Sequence, residues 1–372
     1  MTIRSVETQL LARNVPANRK SRTQARLASL FLPVAFGILA ALYSSAFLPE
    51  SYRSDSIFIH SIIQRTAIIV PDSSYLHAAQ YYVALGIGDS PVAVGAINFS
   101  LFAGALSVAV CKARLRDART RLLELFSILL AVVYLSQYSK DSIVLYVTLA
   151  VLVCGRRRWG EAPIVLMMLV YALLFRKYWF LVVVLYLGFR YALPRCRKTR
   201  DAAILVGCAI FSLVLVFHYG LHYPIEHYRT IVNAVRSSSG TTVNTLIRTP
   251  RFGESIAGQF LTGIISLLIL LFPVPLARDG GLQYLVFAIG IGAMWIVALS
   301  SFRRQLIQPQ GIGLLELRAG SLALSMITVQ CLFEPDYGSY IRHLSPLVPL
   351  LITVVGGAHA RRQRSVTVST RM

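Results

Sequence analysis

The chain has 372 residues, of which 56% are hydrophobic and only 14% charged, and it carries a formal net charge of +21. Soluble domains carry about a quarter charged residues, so an ordinary water-soluble fold is excluded. A nucleic-acid binder is argued against as well, because the basic residues fall in short clusters between apolar runs instead of on one face.

Read in order, the chain opens with a basic segment, residues 1–26, placed in the cytoplasm by the positive-inside rule. Leu27 to Leu48 is of spanning length and shows no small-residue cleavage site, so it reads as an uncleaved first helix. An outer segment follows, near 49–90. Within it a helix is expected after Pro71-Asp72-Ser73, with Tyr75, Ala79 and Tyr82 on one face.

Pro91 to Cys111 returns inside, Leu122 to Gln137 goes out, and Ser142 to Cys154 comes back to the Arg156–Arg158 cluster. Ala162 to Phe175 goes out, turns at Arg176-Lys177-Tyr178-Trp179, and Phe180 to Leu193 returns. Ala202 to His218 leads to the longest polar stretch, an outer segment near 219–257.

Alternation then fails by one crossing around Gly258 to Leu276, which ends in Phe272-Pro273-Val274-Pro275. Prolines break helices, so this is either a re-entrant segment or a sign of a missed crossing before it. Arg303–Arg304 and a basic tail, residues 361–372, are cytoplasmic, which leaves 334–343 outside between the last two spans. The expectation is an all-α, polytopic transmembrane bundle of about ten to twelve spans, one membrane domain over residues 27–360. The five cysteines are scattered and suggest no disulfide framework.

Charged and aromatic residues gather on the expected outer face. Positive charge there opposes the usual bias and needs a reason, such as an anionic ligand. In Glu334-Pro335-Asp336-Tyr337-Gly338-Ser339-Tyr340-Ile341-Arg342-His343 the acids accept protons or hydrogen bonds, Arg342 is a fixed cation, and Tyr337 and Tyr340 offer flat apolar faces. An interfacial aromatic belt is the plainer alternative.

Arg176 and Lys177 lie between apolar runs with almost no loop, either as ligands or as snorkelling anchors beside an interfacial Trp179. Lys140 and Asp141 form either a self-neutralising surface pair or a helix end beside a groove. Arg229, Arg236, Arg248 and Arg251 make a cationic loop, solvated or capturing an anion, with Arg251 favoured because Pro250 and Gly253 constrain it. Glu316 and Arg318 read as interfacial, and Gly290 and Gly292 as close-packing positions.

The order of these pieces resembles bacterial Wzy-type polysaccharide polymerases, the membrane glycan polymerases of O-antigen and exopolysaccharide synthesis. The matching elements are Asp72 to Tyr82, Ser139-Lys140-Asp141, Arg176-Lys177-Tyr178-Trp179, and Asp336 to His343. The resemblance implies a GT-C-like membrane glycosyltransferase in the bacterial inner membrane, with both termini cytoplasmic.

Such an enzyme transfers a growing glycan from polyprenyl pyrophosphate to another lipid-linked repeat unit on the outer face. Its partners would be the polyprenyl-pyrophosphate-linked oligosaccharide, membrane lipid and other polysaccharide-assembly proteins. Its leaving group is already a stable anion, so no cofactor or metal is expected. The resemblance assigns Arg176, Arg342 and Arg251 to the pyrophosphate and Asp336 or His343 to the base. Glu334, Tyr337, Tyr340, Lys140 and Asp141 would line the substrate site. The alternative is a lipid-linked oligosaccharide flippase or other transporter, which should carry charge deep within its spans.

Overall fold

The structure is a computed structural model; it describes residues 28, 30–68, 71, 73–113, 118–238, 245–279, 281–307 and 311–357. Every named element among these residues is helical, and the one β-bridge, Leu246 to Asp336, is isolated. The expected basic ends, Asp72 and the side chain of Arg236 lie outside the described residues.

Among the described residues, four helices are long and apolar enough to cross a membrane: Pro91–Ala113 (α5), Thr199–Leu221 (α10 with its continuation), Leu282–Ile307 (α14) and Tyr337–Gly357 (α16 with its continuation). Leu30–Leu42 (α1), Val144–Cys154 (α7) and Ile256–Leu271 (α12) are apolar but shorter. Helices α8 (Glu161–Leu174) and α9 (Trp179–Ala192) have only 14 residues each. At 1.5 Å per residue each is about 21 Å long, less than the roughly 30 Å of a hydrocarbon core. The apolar runs counted as separate spans in the sequence are thus partly short helices joined by turns.

Helix α15 (Leu314–Phe333) is the centre of the bundle. Residues from Leu315 to Leu332 are buried around nearly its whole circumference, and α7, α9, α10, α11 (His227–Ser238) and α12 pack on it. A helix apolar on one stripe would sit at the rim; one buried all round must be enclosed. Two of its hydroxyls return to their own helix, Ser325 Oγ to Ser321 O (2.7 Å) and Thr328 Oγ1 to Leu324 O (2.7 Å).

Arg318, expected at an interface, is 1% exposed. It donates to the carbonyls of Gly155 (3.0 Å) and Arg157 (2.8 Å) and binds Glu161 at 2.8 Å. It therefore satisfies the open carbonyls after α7 and fixes the turn into α8. A buried guanidinium is tolerated because carbonyls and an acid use up its donors.

Direction follows from the contacts. Trp295 Nε1 donates to Tyr340 Oη (2.7 Å), and further along Gln305 donates to Val354 O (2.7 Å). Helices α14 and α16 therefore run the same way, both starting at the end of the bundle that carries residues 334–343. The 245–247 strand sits at that same end, with Ile247 N–H donating to Pro335 O and Tyr337 N–H to Thr245 O (both 2.9 Å).

Helix α12 packs beside α10 (Phe211–Phe260 centroids 5.7 Å) and stops at Phe272-Pro273, after which α13 (Val274–Asp279) begins. The prolines expected to break the Gly258 to Leu276 segment do so. The outer segment 49–90 holds two helices instead of the one expected, α3 (Glu50–Ile63) and α4 (Ser74–Ala84). Helix α4 starts where Ser73 accepts from Leu76 N–H (3.2 Å).

Of the two close-packing glycines expected in α14, a Cβ on Gly290 would meet the Phe126 ring at 2.5 Å, whereas Gly292 faces nothing within 4 Å. A closer helix-to-helix approach lies between α5 and the end of the last span, where a Cβ on Gly356 would come within 2.2 Å of Ala113 Cα. Backbone cannot step aside as a side chain can. Gly356→Ala should therefore destabilise the protein by about 1–3 kcal/mol, while Gly292→Ala should leave the melting temperature in detergent unchanged or raise it.

Candidate functional site

The α6 (Ala118–Tyr134) to α7 loop, residues 135–143, is pinned from several sides. Tyr82 Oη of α4 is its hub: it donates to Ser139 O (2.9 Å), accepts from Ser139 N–H (3.1 Å) and Asn98 Nδ2 (3.0 Å), and meets Ser142 Oγ at 3.0 Å. Gln137 Nε2 donates to Tyr52 O (3.0 Å), and Tyr138 Oη to Gly88 O (2.6 Å). The hydroxyl and amide groups needed to bury this polar loop are thus supplied by α3, α4 and α5. What they hold in place is Asp141, 1% exposed.

Cations reach Asp141 from two other chain segments. Arg176, in the turn between α8 and α9, donates through Nη2 to both its oxygens (3.0 and 3.3 Å). Arg342 of α16 places Nε 3.2 Å from Asp141 Oδ2 and Nη1 2.8 Å from Asp55 Oδ2 on α3. Asp55 also accepts from Tyr75 Oη (3.2 Å). His343 Nε2 lies 3.4 Å from Asp141 Oδ1, while its Nδ1 pairs with Glu334 Oε1. The His343 ring therefore stands between two buried carboxylates, and Nε2 makes no hydrogen bond. Lys140 Nζ turns away from Asp141, donating to Ser74 Oγ (3.2 Å) and lying 3.5 Å over the Tyr75 ring.

Two fixed cations, Arg176 and Arg342, face three carboxylates, Asp55, Asp141 and Glu334, with Lys140 beside them. Burial alone would raise the Asp141 carboxyl pKa, but Arg176, then His343 and Arg342, outweigh it and hold Asp141 well below the usual carboxylate range. Glu334 follows the same logic: burial opposes ionisation, contact with His343 and the nearby Arg176 favours it, and its pKa falls. Lys140 goes the other way. Burial is the main cause, Arg176 adds to it, and its pKa is pushed down to about 7.

The structure brings together Asp141, Arg176, Arg342, His343 and Glu334, with Lys140 one residue along the loop. Lys140–Asp141 is not a surface pair, since both are buried and each has other partners. Trp179 is no interfacial anchor either; it is fully buried with its ring centroid 4.7 Å from Tyr171. Lys177 is exposed.

The remaining candidates stand apart. Asp336 caps α16, accepting from Ser339 N–H at 2.8 Å, so one of its oxygens is committed to the helix start. Tyr340 accepts from Trp295, and buried Tyr337 pairs through its backbone with Thr245. Arg251, 62% exposed, binds Glu226 Oε1 and Thr230 Oγ1, each at 2.8 Å. Arg248 is exposed. Arg229 is buried, held by Thr249 Oγ1 (2.7 Å), Ser266 Oγ (3.0 Å) and the Cys331 carbonyl; it tethers the outer segment to α12 and α15.

Asp55 was not among the sequence candidates. No motif marks it, and the available signal was faint: it shares a helix face with Tyr52 at i, i+3. No protein-family model, curated protein or solved structure matches this chain.

Two outcomes test the electrostatics. Asp141→Asn leaves the partly buried Arg176 and Arg342 with one acid fewer, and should cost about 3 kcal/mol in thermal or denaturant unfolding. For Lys140, the unfolded side chain keeps its proton to about pH 10.4, whereas the folded one releases it near 7. The unfolded state binds more protons between those values, so this residue makes stability rise with pH across that window. Melting curves from pH 7 to 9.5 should show a rise that is smaller in Lys140→Met.

Proposed function

We propose that the chain is a GT-C-like polysaccharide polymerase of the Wzy type, working at the end of the bundle that carries Asp141. The observation that carries this reading is the convergence of two guanidiniums, Arg176 and Arg342, with a His343 imidazole whose other nitrogen is held by Glu334.

The chemistry needs two things. The acceptor sugar hydroxyl must lose its proton as its oxygen bonds to the donor's anomeric carbon. The bond from that carbon to the pyrophosphate oxygen must break, its electron pair leaving with the lipid pyrophosphate. His343 Nε2 accepts the proton, while Glu334 on Nδ1 orients the ring and stabilises the imidazolium. Arg176 and Arg342 hold the departing anion. Each guanidinium has five N–H donors, and Asp55 and Asp141 engage only part of them, so a pyrophosphate shares cations that the acids keep aligned. Asp336, committed to its cap, is left out of the proton transfer, and Arg251 out of the pyrophosphate site.

A site at one end also favours an enzyme over the flippase alternative. Ser325 and Thr328 of α15 bond back to their own helix, so these hydroxyls are not free for a headgroup passing through the bundle. In this reading the Asp141 end faces out of the bacterial inner membrane, the opposite end and both termini lie in the cytoplasm, and the short helices supply the remaining crossings of a ten-to-twelve-span protein.

Protein reconstituted with polyprenyl-pyrophosphate-linked repeat units, without nucleotide sugar, should give a ladder of longer glycans on gels. An Arg176→Ala, Arg342→Ala double variant that still folds should lose at least ~100-fold in rate. Undiminished lengthening by that variant removes the mechanism, and lipid-linked units that cross the bilayer without growing point to a flippase.

A further inference from the structure

Apart from the ion cluster, a concave site lies between the Pro224 turn and the first turns of α12. Its cavity of about 160 Å³ is lined by Glu226, His227, Thr230, Arg251, Glu254 and Gln259, among others. The Glu226–Arg251 pair and the Arg251–Thr230 hydrogen bond span its wall. Gln259 is fixed at its back by Ile225 N–H (3.1 Å), Glu254 O (2.7 Å) and His218 (3.1 Å).

A file of aromatic rings joins this cavity to the ion cluster. From His343 the centroids run to Tyr178 (6.4 Å), then Phe333 (5.7 Å, stacked at 18°), Tyr228 (5.8 Å) and His227 (5.6 Å). His227 in turn stacks on Tyr223 at 4.1 Å and 13°. Tyr228 and Tyr223 are 44% and 45% exposed. The Tyr178 hydroxyl and Glu334 Oε2 are buried and make no hydrogen bond. Unmet buried polar groups are uncommon and point to a partner that supplies the missing bonds.

We infer that the cavity and the ring file form a saccharide subsite, which holds the glycan portion of a lipid-linked substrate while the ion cluster holds its pyrophosphate end. This rests on the polymerase reading. The chemistry discriminates among ligand classes. Glu226 and Glu254 outnumber Arg251, so an inorganic anion is disfavoured. The lining is too polar for a lipid tail. Acids, a guanidinium, an amide and a hydroxyl offer donors and acceptors at fixed positions, as a polyol requires. Half-exposed rings offer flat faces to the C–H surfaces of a sugar. At its volume the cavity takes one or two residues of a chain, with the rest lying along the rings.

Saturation-transfer NMR tests this on the full-length protein in detergent. The probes are methyl hexosides, N-acetylhexosaminides and their disaccharides, with inorganic pyrophosphate as competitor. Transfer to sugar ring protons is expected for at least one probe. Glu226→Gln and Tyr228→Ala should each weaken it about five- to tenfold, the worth of one such contact, and Tyr228→Phe should restore it because the flat face remains. Lys177→Ala, at an exposed position next to Arg176, should leave it unchanged, with melting curves verifying the fold of each variant.

The inference is overturned if no probe shows transfer, if pyrophosphate displaces the sugar, or if binding is unchanged by both Glu226→Gln and Tyr228→Ala. Sugar binding with this variant pattern, together with no chain lengthening in the reconstituted assay, would retain the subsite and sink the polymerase reading instead.

Discussion

A carboxylate taken out of water must be surrounded by positive charge, and Asp141 imposes that condition on the whole end of this bundle. Burying an ion costs several kcal/mol even after relaxation, and the cost is offset only by close, well-oriented partners. Here they arrive from the turn after α8 and from α16, so the ends of otherwise separate hairpins have to meet. The Tyr82 hub, the Gln137 clip and the Ser139 and Ser142 hydroxyls follow from the same demand, since a loop carrying a buried acid must itself have its polar groups satisfied.

The outer segment belongs to this arrangement more closely than its loop-like composition suggests. Arg229 grips the Cys331 carbonyl just before Glu334, and residues 245–247 pair with 335–337. The turn that delivers Glu334 to His343 is thus fastened on both flanks by residues far away in the chain. A change in how α11 sits would be felt at the imidazole through these tethers, without any contact between the two.

Much of this was legible in the residues. Long apolar runs gave helices, and the polar breaks at 139–142, 176–179 and 334–343 gave the turns that do converge. Phe272-Pro273 marked a real interruption because proline cannot continue the hydrogen-bond ladder. Other features were not legible, for one reason: sequence shows residue type, whereas role depends on which distant group answers it. Arg318 and Arg251 look alike on paper, yet one is buried against carbonyls and the other lies at the surface beside Glu226. Asp336 and Glu334, two positions apart, diverge because the helix start claims one of them. Asp55 matters through Arg342, far along the chain, and through Tyr75, and nothing in its own sequence neighbourhood announces either partner. Span number suffered similarly, since an apolar run can end in a short helix plus a turn as readily as in one long helix.

The modest length of α8 and α9 carries a consequence for the surrounding lipid. Leu166, Leu173 and Val184 on these helices are more than half exposed, so this flank presents a hydrophobic belt markedly lower than a standard bilayer. Acyl chains that seal against it must compress, which draws the headgroup layer inward along that side alone. The Arg176 turn crowns this flank. Under the proposed polymerase function, a membrane-tethered pyrophosphate approaching there would meet the guanidinium without being drawn out of the leaflet.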